Sequence, residues 1–268
     1  MAWKNLKQRS LADALLIEHD ALKELDAVHD LIDWSRIEAH LSEIHARRKG
    51  EKAWPPLIMF KALLLQSGYG LSDPGLEKQL ARDLLFRRFV ALDISESVPD
   101  HSTFWRFRQT LERLSLLEVL LSEINHQLAE QGLYIKSGEV SIVDASVIEA
   151  NRCRPNKRKE GGTTQDPEAD WNVKAGSDGK RKSTYGYKAH INVDEEGFIK
   201  AVDYSSGSLH DSNCFTDLLS GVFGVLKLHY GMAKARYLGL SRNRTRFELM
   251  CVAHNIKRGL SVRQSSCV

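Results

Sequence analysis

Asp144 stands in the middle of VSIVDASVIEA, residues 140–150. Val140, Ile142, Val143, Val147 and Ile148 around it favour a pleated, packed backbone. An isolated ionised carboxylate in such a strand costs several kcal/mol or gives up its charge. Three arrangements resolve the conflict: a cation partner, a bound metal, or a strand end open to solvent. Other carboxylates able to join the same chemistry are few. Beside Asp211, His210 can help orient a phosphate or a nearby carboxylate, or the pair can cap a helix and support the fold. Asp194, Glu195 and Glu196 read as a solvated turn, and Asp203 alternates along a strand and can face either way. Beyond Asp217 the only side-chain carboxylate is Glu248.

The cations are distributed unevenly. From Gly221 to Val268 nine Lys and Arg (Lys227, Lys234, Arg236, Arg242, Arg244, Arg246, Lys257, Arg258, Arg263) face one acid, so with a formal net charge of +3 the first 220 residues carry −5. Such asymmetry fits either a solvated basic helix face or a polyanionic partner such as nucleic acid. A second cluster, NRCRPNKRKEGG at 151–162 with Arg154, Lys157 and Arg158, tilts the balance toward nucleic acid. A third candidate is DHSTFWRFRQTLERL, where Arg106 and Arg108 sit among Phe104, Trp105 and Phe107 behind a capping residue (Asp100, Ser102 or Thr103). It can be a recognition helix, or an amphipathic core helix with a basic outer face.

The elements that must position these residues follow from periodicity. With 268 residues and 42% apolar content the chain can bury a core of its own. No apolar run approaches the roughly 18 residues of a membrane span, and the start lacks the apolar core of a signal peptide, so a cytoplasmic protein is expected. Cys153, Cys214, Cys251 and Cys267 form no C-x-x-C pair and are expected to be free thiols. Residues 10–132 carry apolar side chains at three and four spacings and read as helices, separated by GYGLSDPG, SVPDHST and QGLY. From residue 138 strand signals take over. After the Asp144 strand, a polar insert at 151–183 reads as a mobile loop. YGYKAHINVD and FIKAVDYSSG read as a hairpin, and a helix is expected from His210 or Asp211 to Leu219.

Strand, long loop, strand, strand, helix, with an acid on the first strand, is how a ribonuclease-H-like nuclease domain begins. IVDASVIEA, DGKRKSTYGYKAHINVDEEGFIKA, GSLHDSNCF and FGVLKLHYGMAKARYLGLSRNRTRFELMCVAHNIKRG resemble bacterial insertion-sequence transposases of the insertion sequence five group. PDHSTFWRFRQTLE resembles their amino-terminal domain. The resemblance implies an α+β protein: a helical domain over 1–135 that binds DNA or dimerises, a ribonuclease-H-like domain over 136–260, and a tail over 261–268. It implies a triad of two Asp and one Glu holding two Mg²⁺, one activating the attacking oxygen and one stabilising the leaving oxygen. It maps the first Asp, a catalytic and metal-binding residue, onto Asp144, with His210 and Asp211 in a supporting role.

The chain then departs from that pattern. The second catalytic Asp belongs on a further strand, and DLLSG instead runs directly into VFGVLKLHYG, which in the family lies on the later helix that carries the Glu. There the Glu stands seven positions before a Lys; Lys227 matches the Lys, and seven positions earlier is Ser220. The simplest reading is an in-frame deletion with its junction near Ser220 to Val222, removing the fourth strand, the following helices, the second Asp and the Glu. The expected protein is a transposase copy that binds no productive Mg²⁺ and is catalytically incompetent, with an unpaired edge on its first strand. Its alternative role is a DNA-binding remnant that inhibits intact transposase. Lys227, Lys234, Arg236, Arg242, Arg244 and Arg246, read as lying along one C-terminal helix, are the candidates for contacting double-stranded DNA of the element's terminal repeats. The expected assembly is a homodimer or a heterodimer with intact transposase, nucleoid-associated and away from membranes.

Overall fold

The structure, a computed structural model, describes residues 3, 19–45, 53–133, 142–151, 166–175, 181–208 and 217–265; the side chains of 142–144, 174, 175, 182 and 217–221 are outside that description. The chain divides into two compact units, Met1–Leu133 with Asn255–Val268, and Tyr134–His254. Helices make up the first and a sheet with helices the second, an α+β protein as expected. Among the described residues no helix is long and apolar enough to cross a membrane.

The first unit holds a 3₁₀ turn (Asp20–Lys23), α1 (Asp26–Leu31), α2 (Trp34–Leu41), α3 (Pro56–Gly68), α4 (Asp73–Arg82), α5 (Leu84–Val90), α6 (His101–Arg113) and α7 (Leu116–Glu130). α3 starts with Pro56, whose missing N–H costs nothing in a first turn, and its residues Ile58–Gln66 are buried without interruption. A helix apolar all round belongs at the centre, and α2, α4, α5 and α6 pack around it. Side-chain caps fix where the neighbours start: Ser72 accepts from Gly75 N, Asp83 from Leu85 N and Phe86 N, and Asp100 from Thr103 N.

A charge lies inside this core. Lys61 of α3 is 5% exposed, and its ammonium sits 4.4 Å from the Trp34 ring centroid and 5.7 Å from that of Phe89. The rings offer a cation–π surface, but burial still pushes the amine down to about 8 from 10.5. Burial and the Lys61 charge lower neighbouring His29 in the same way. A folded pKa below the unfolded one means that protonation favours the unfolded chain. The Lys61 contribution is therefore complete above pH 10.5 and is lost as pH falls through 8. Chemical denaturation followed by circular dichroism is expected to show stability rising between pH 8 and pH 10.5, by at most about 3 kcal/mol. Lys61→Met is expected to flatten that rise, and an equal rise in the variant would refute the assignment.

The second unit is built on β3 (Arg181–Val193). β1 (Ile142–Glu149) runs antiparallel along one edge, with Asp144 opposite Ile191 and Glu149 opposite Gly186. The other edge is shared: β2 (Asp170–Ala175) pairs with Arg181–Gly186, and β4 (Ile199–Ser206) with Tyr187–Val193. β2 lies inside the insert that composition marks as a mobile loop. Its alternation of Trp171 and Val173 with polar residues is a strand pattern, and overall polarity outweighed it in the sequence. The sheet therefore has four described strands, all antiparallel, where three were expected. Ile148, Tyr187, Ala189, Ile191, Val193 and Tyr204 form its buried face. Asp194 is not part of a solvated turn: it is fully buried and accepts from Phe198 N at 2.8 Å, closing the β3–β4 hairpin, while Glu195 and Glu196 are exposed.

The expected C-terminal helix is two helices, α8 (Asp217–His229) and α9 (Leu240–Ser265). Gly231 (φ +65°) ends the first and Gly239 (φ +93°) precedes the second, left-handed positions that suit glycine. α8 runs unbroken through Ser220–Val222, and α9 continues to Ser265, through most of the segment expected to be a tail. FELMCVAHNI is buried throughout, Phe247 lying 5.7 Å from the Tyr204 ring. The edge of β1 away from β3 is partnered at its last residue, Glu149. Ala233 O accepts from Glu149 N at 3.3 Å and Ala235 N donates to Glu149 O at 2.8 Å, a parallel bridge to the segment between α8 and α9.

Candidate functional site

Asp144 is the third residue of β1, its backbone held opposite Ile191; its side chain lies outside the described residues. Ser220, at the position the resemblance assigns to the Glu, lies in α8. His210, Asp211, Arg154, Lys157 and Arg158 lie outside the described residues.

A two-metal centre needs several oxygen ligands from carboxylates that are not already bound elsewhere. Glu248, the one acid of the C-terminal region, is 7% exposed and paired with Arg244 at 2.9 Å, one helical turn away. Asp194 is committed to its hairpin and Asp203 is exposed. Among the described residues no group of three or more His, Cys, Asp or Glu could hold a metal ion.

The cations fall into two groups. Arg242 in the first turn of α9 and Lys234 in the segment before it are exposed, while Lys227 of α8 and Arg236 are half-buried. Arg244 is drawn to Glu248. Arg246 is turned inward, donating from Nη2 to Gly231 O at 2.8 Å and Tyr230 O at 3.2 Å, and from Nη1 to Lys234 O at 3.4 Å. Burial and the Arg236 charge push its guanidinium down to about 10. Arg246 thus ties down the α8–α9 connection on which Lys234 and Arg236 sit.

In the first unit Arg106 is exposed beside Ser102 and Thr103. Arg108 is 6% exposed and donates to Gln66 Oε1 at 2.9 Å and Asp73 Oδ2 at 2.5 Å. For Arg108 the core-helix alternative holds, because its fork is used up by partners on α3 and α4.

Two residues of the site were missed in the sequence. Asp166 is fully buried; its Oδ1 accepts from Tyr187 Oη at 2.5 Å and Gly239 N at 3.1 Å, and its carbonyl accepts from Tyr185 Oη at 2.8 Å. Burial and this carboxylate raise the Tyr187 hydroxyl well above its usual range. Glu168, exposed, accepts from Leu240 N at 2.5 Å. The alternation of QDPEADWNVKA was the signal that could have placed both beside a strand.

Models of known families match most of the chain in three segments. A transposase domain (DUF772) matches residues 11–110, one transposase DDE domain matches 135–223, and a second transposase DDE domain matches 217–260. No solved structure matches the chain. Helices α1 to α5, the sheet that carries Asp144 and the basic segment after it thus each lie within a match to a transposase-domain model, a DUF772 transposase domain followed by DDE-domain sequence.

Proposed function

We propose that this chain is an internally deleted insertion-sequence transposase of the insertion sequence five group that binds double-stranded DNA without cutting it. The observation that carries the reading is the junction. The two DDE-domain matches meet over 217–223, and Ser220 lies in that overlap on a continuous helix. Beside the last residue of β1, Glu149, runs a segment with Lys234 and Arg236 and no carboxylate. A cationic strip there suits phosphates and repels Mg²⁺.

DNA contact does not require the metal, because lysines and arginines neutralise phosphates by charge alone. Lys227, Lys234, Arg236 and Arg242 keep that role in our reading, with Arg106, Arg154, Lys157 and Arg158 as further candidates. Arg244, Arg246 and Arg108 act by holding the elements in place. A chain that occupies element ends, or that pairs with an intact copy, would inhibit transposition.

The test uses the full chain, a labelled mixed-sequence duplex and a supercoiled plasmid with Mg²⁺. Retention of the duplex without nicking of the plasmid is the expected result. Nicking that disappears on Asp144→Ala would overturn the claim of lost catalysis. Failure to retain the duplex would overturn the claim of DNA binding.

A further inference from the structure

The resemblance to transposases assigns no role to Asp166 or Glu168, and both reach the start of α9. The first turn of a helix leaves four N–H groups without helical acceptors, and its dipole favours negative charge there. Glu168 accepts from Leu240 N, and Asp166 accepts from Gly239 N just before it. Asn243 closes the same turn from inside, accepting from Tyr237 N at 3.2 Å and donating to Tyr237 O and Gly239 O at 2.8 Å. Asp166 is in turn anchored to β3 through the hydroxyls of Tyr185 and Tyr187. The helix therefore starts where the sheet dictates, and Arg242 lies in the turn so fixed.

We infer that Asp166 and Glu168 form a clip that positions Arg242, in the first turn of α9, against DNA phosphates. The inference rests on the DNA-binding reading above and deepens it. It runs against simple charge bookkeeping. An exposed acid near a phosphate contact should repel DNA, so removing Glu168 should tighten binding if charge alone mattered. A positioning role has the opposite sign: without the clip the first turn frays, Arg242 loses its fixed place, and one phosphate contact is weakened.

The experiment measures the dissociation constant of the full chain for a mixed-sequence duplex at several salt concentrations. Glu168→Ala is expected to bind several-fold more weakly, and its log–log salt slope is expected to fall by about one. Glu168→Gln keeps an oxygen that can accept from Leu240 N and is expected to restore wild-type binding and slope. Arg242→Ala combined with Glu168→Ala is expected to bind no more weakly than Arg242→Ala alone. A merely structural role would lower the fraction of active protein and leave the slope of the remainder unchanged. Glu168→Ala that binds as tightly as wild type or more so, with an unchanged slope, overturns the clip and leaves DNA binding standing. A wild-type chain that does not retain the duplex overturns both.

Discussion

Gly186→Ala is expected to destabilise the second unit strongly. Gly186 is the residue of β3 at which the sheet changes partners: Glu149 of β1 pairs with it on one side and Asp170 of β2 on the other, and Gly207 N donates to its carbonyl at 3.0 Å. A Cβ added there would lie 1.9 Å from Ile148 O and 2.9 Å from Ala150 N. Both are backbone atoms of the β1 end, so no rotamer change relieves the clash and the ladder itself must open. Forced overpacking costs about 1–3 kcal/mol where side chains can give way. Here about 3 kcal/mol or more is expected, a large part of the roughly 5–15 kcal/mol that holds a domain folded. Thermal unfolding and limited proteolysis of the second unit would read it. Gly224→Ala is the control: Gly224 lies within α8 with nothing within 4 Å of an added Cβ, and the variant is expected to gain up to about 1 kcal/mol. Wild-type stability in Gly186→Ala would mean that the β1–β3 register is wrong.

Asp73→Ala is expected to cost the first unit about 3–5 kcal/mol, the usual penalty for leaving one charge of a buried pair alone. Arg108 has 7% of its side chain exposed and Asp73 16%, so little water can replace the lost carboxylate. Gln66 donates to Asp73 at 2.6 Å and accepts from Arg108, so it too loses a partner. Asp73 also stands in the first turn of α4, where its charge meets the helix dipole. The test of cause is the double variant. Asp73→Ala with Arg108→Met removes both charges and is expected to recover much of the loss, since a buried pair replaced by apolar groups is often neutral. Chemical denaturation of the single and double variants measures the coupling. Additive costs would show that the ion pair is not what Asp73 contributes.

The same arginine shows where reading from sequence stops. Arg106 and Arg108 lie on one short stretch between aromatics, and periodicity cannot rank them as surface or core. The partner that makes the difference, Asp73, is 35 residues away on another helix. Arg246 is a parallel case: its side chain is taken by three carbonyls of the α8–α9 connection, set in place by the turn at Gly231. The resemblance carried a single long helix across this region, although Gly231 and Gly239 are the residues that end and restart helices. Glu168 and Asp166 were passed over for a related reason. Polar composition argues for a loop, and only a strand beside them gives two acids a fixed direction.

By itself the sequence determined the elements whose signals are local. It placed the helical run of the first unit, the β-branched strand around Asp144, the hairpin and the apolar FELMCVAHNI. These depend on spacing within a few residues, which the chain states directly. Tertiary structure alone decided which charges are spent. It put Arg108 on Asp73, Arg244 on Glu248, Arg246 on backbone carbonyls, and Asp166 and Glu168 on the start of α9. A charge's role depends on its desolvation and on partners brought from far along the chain, and neither quantity exists until the chain has folded.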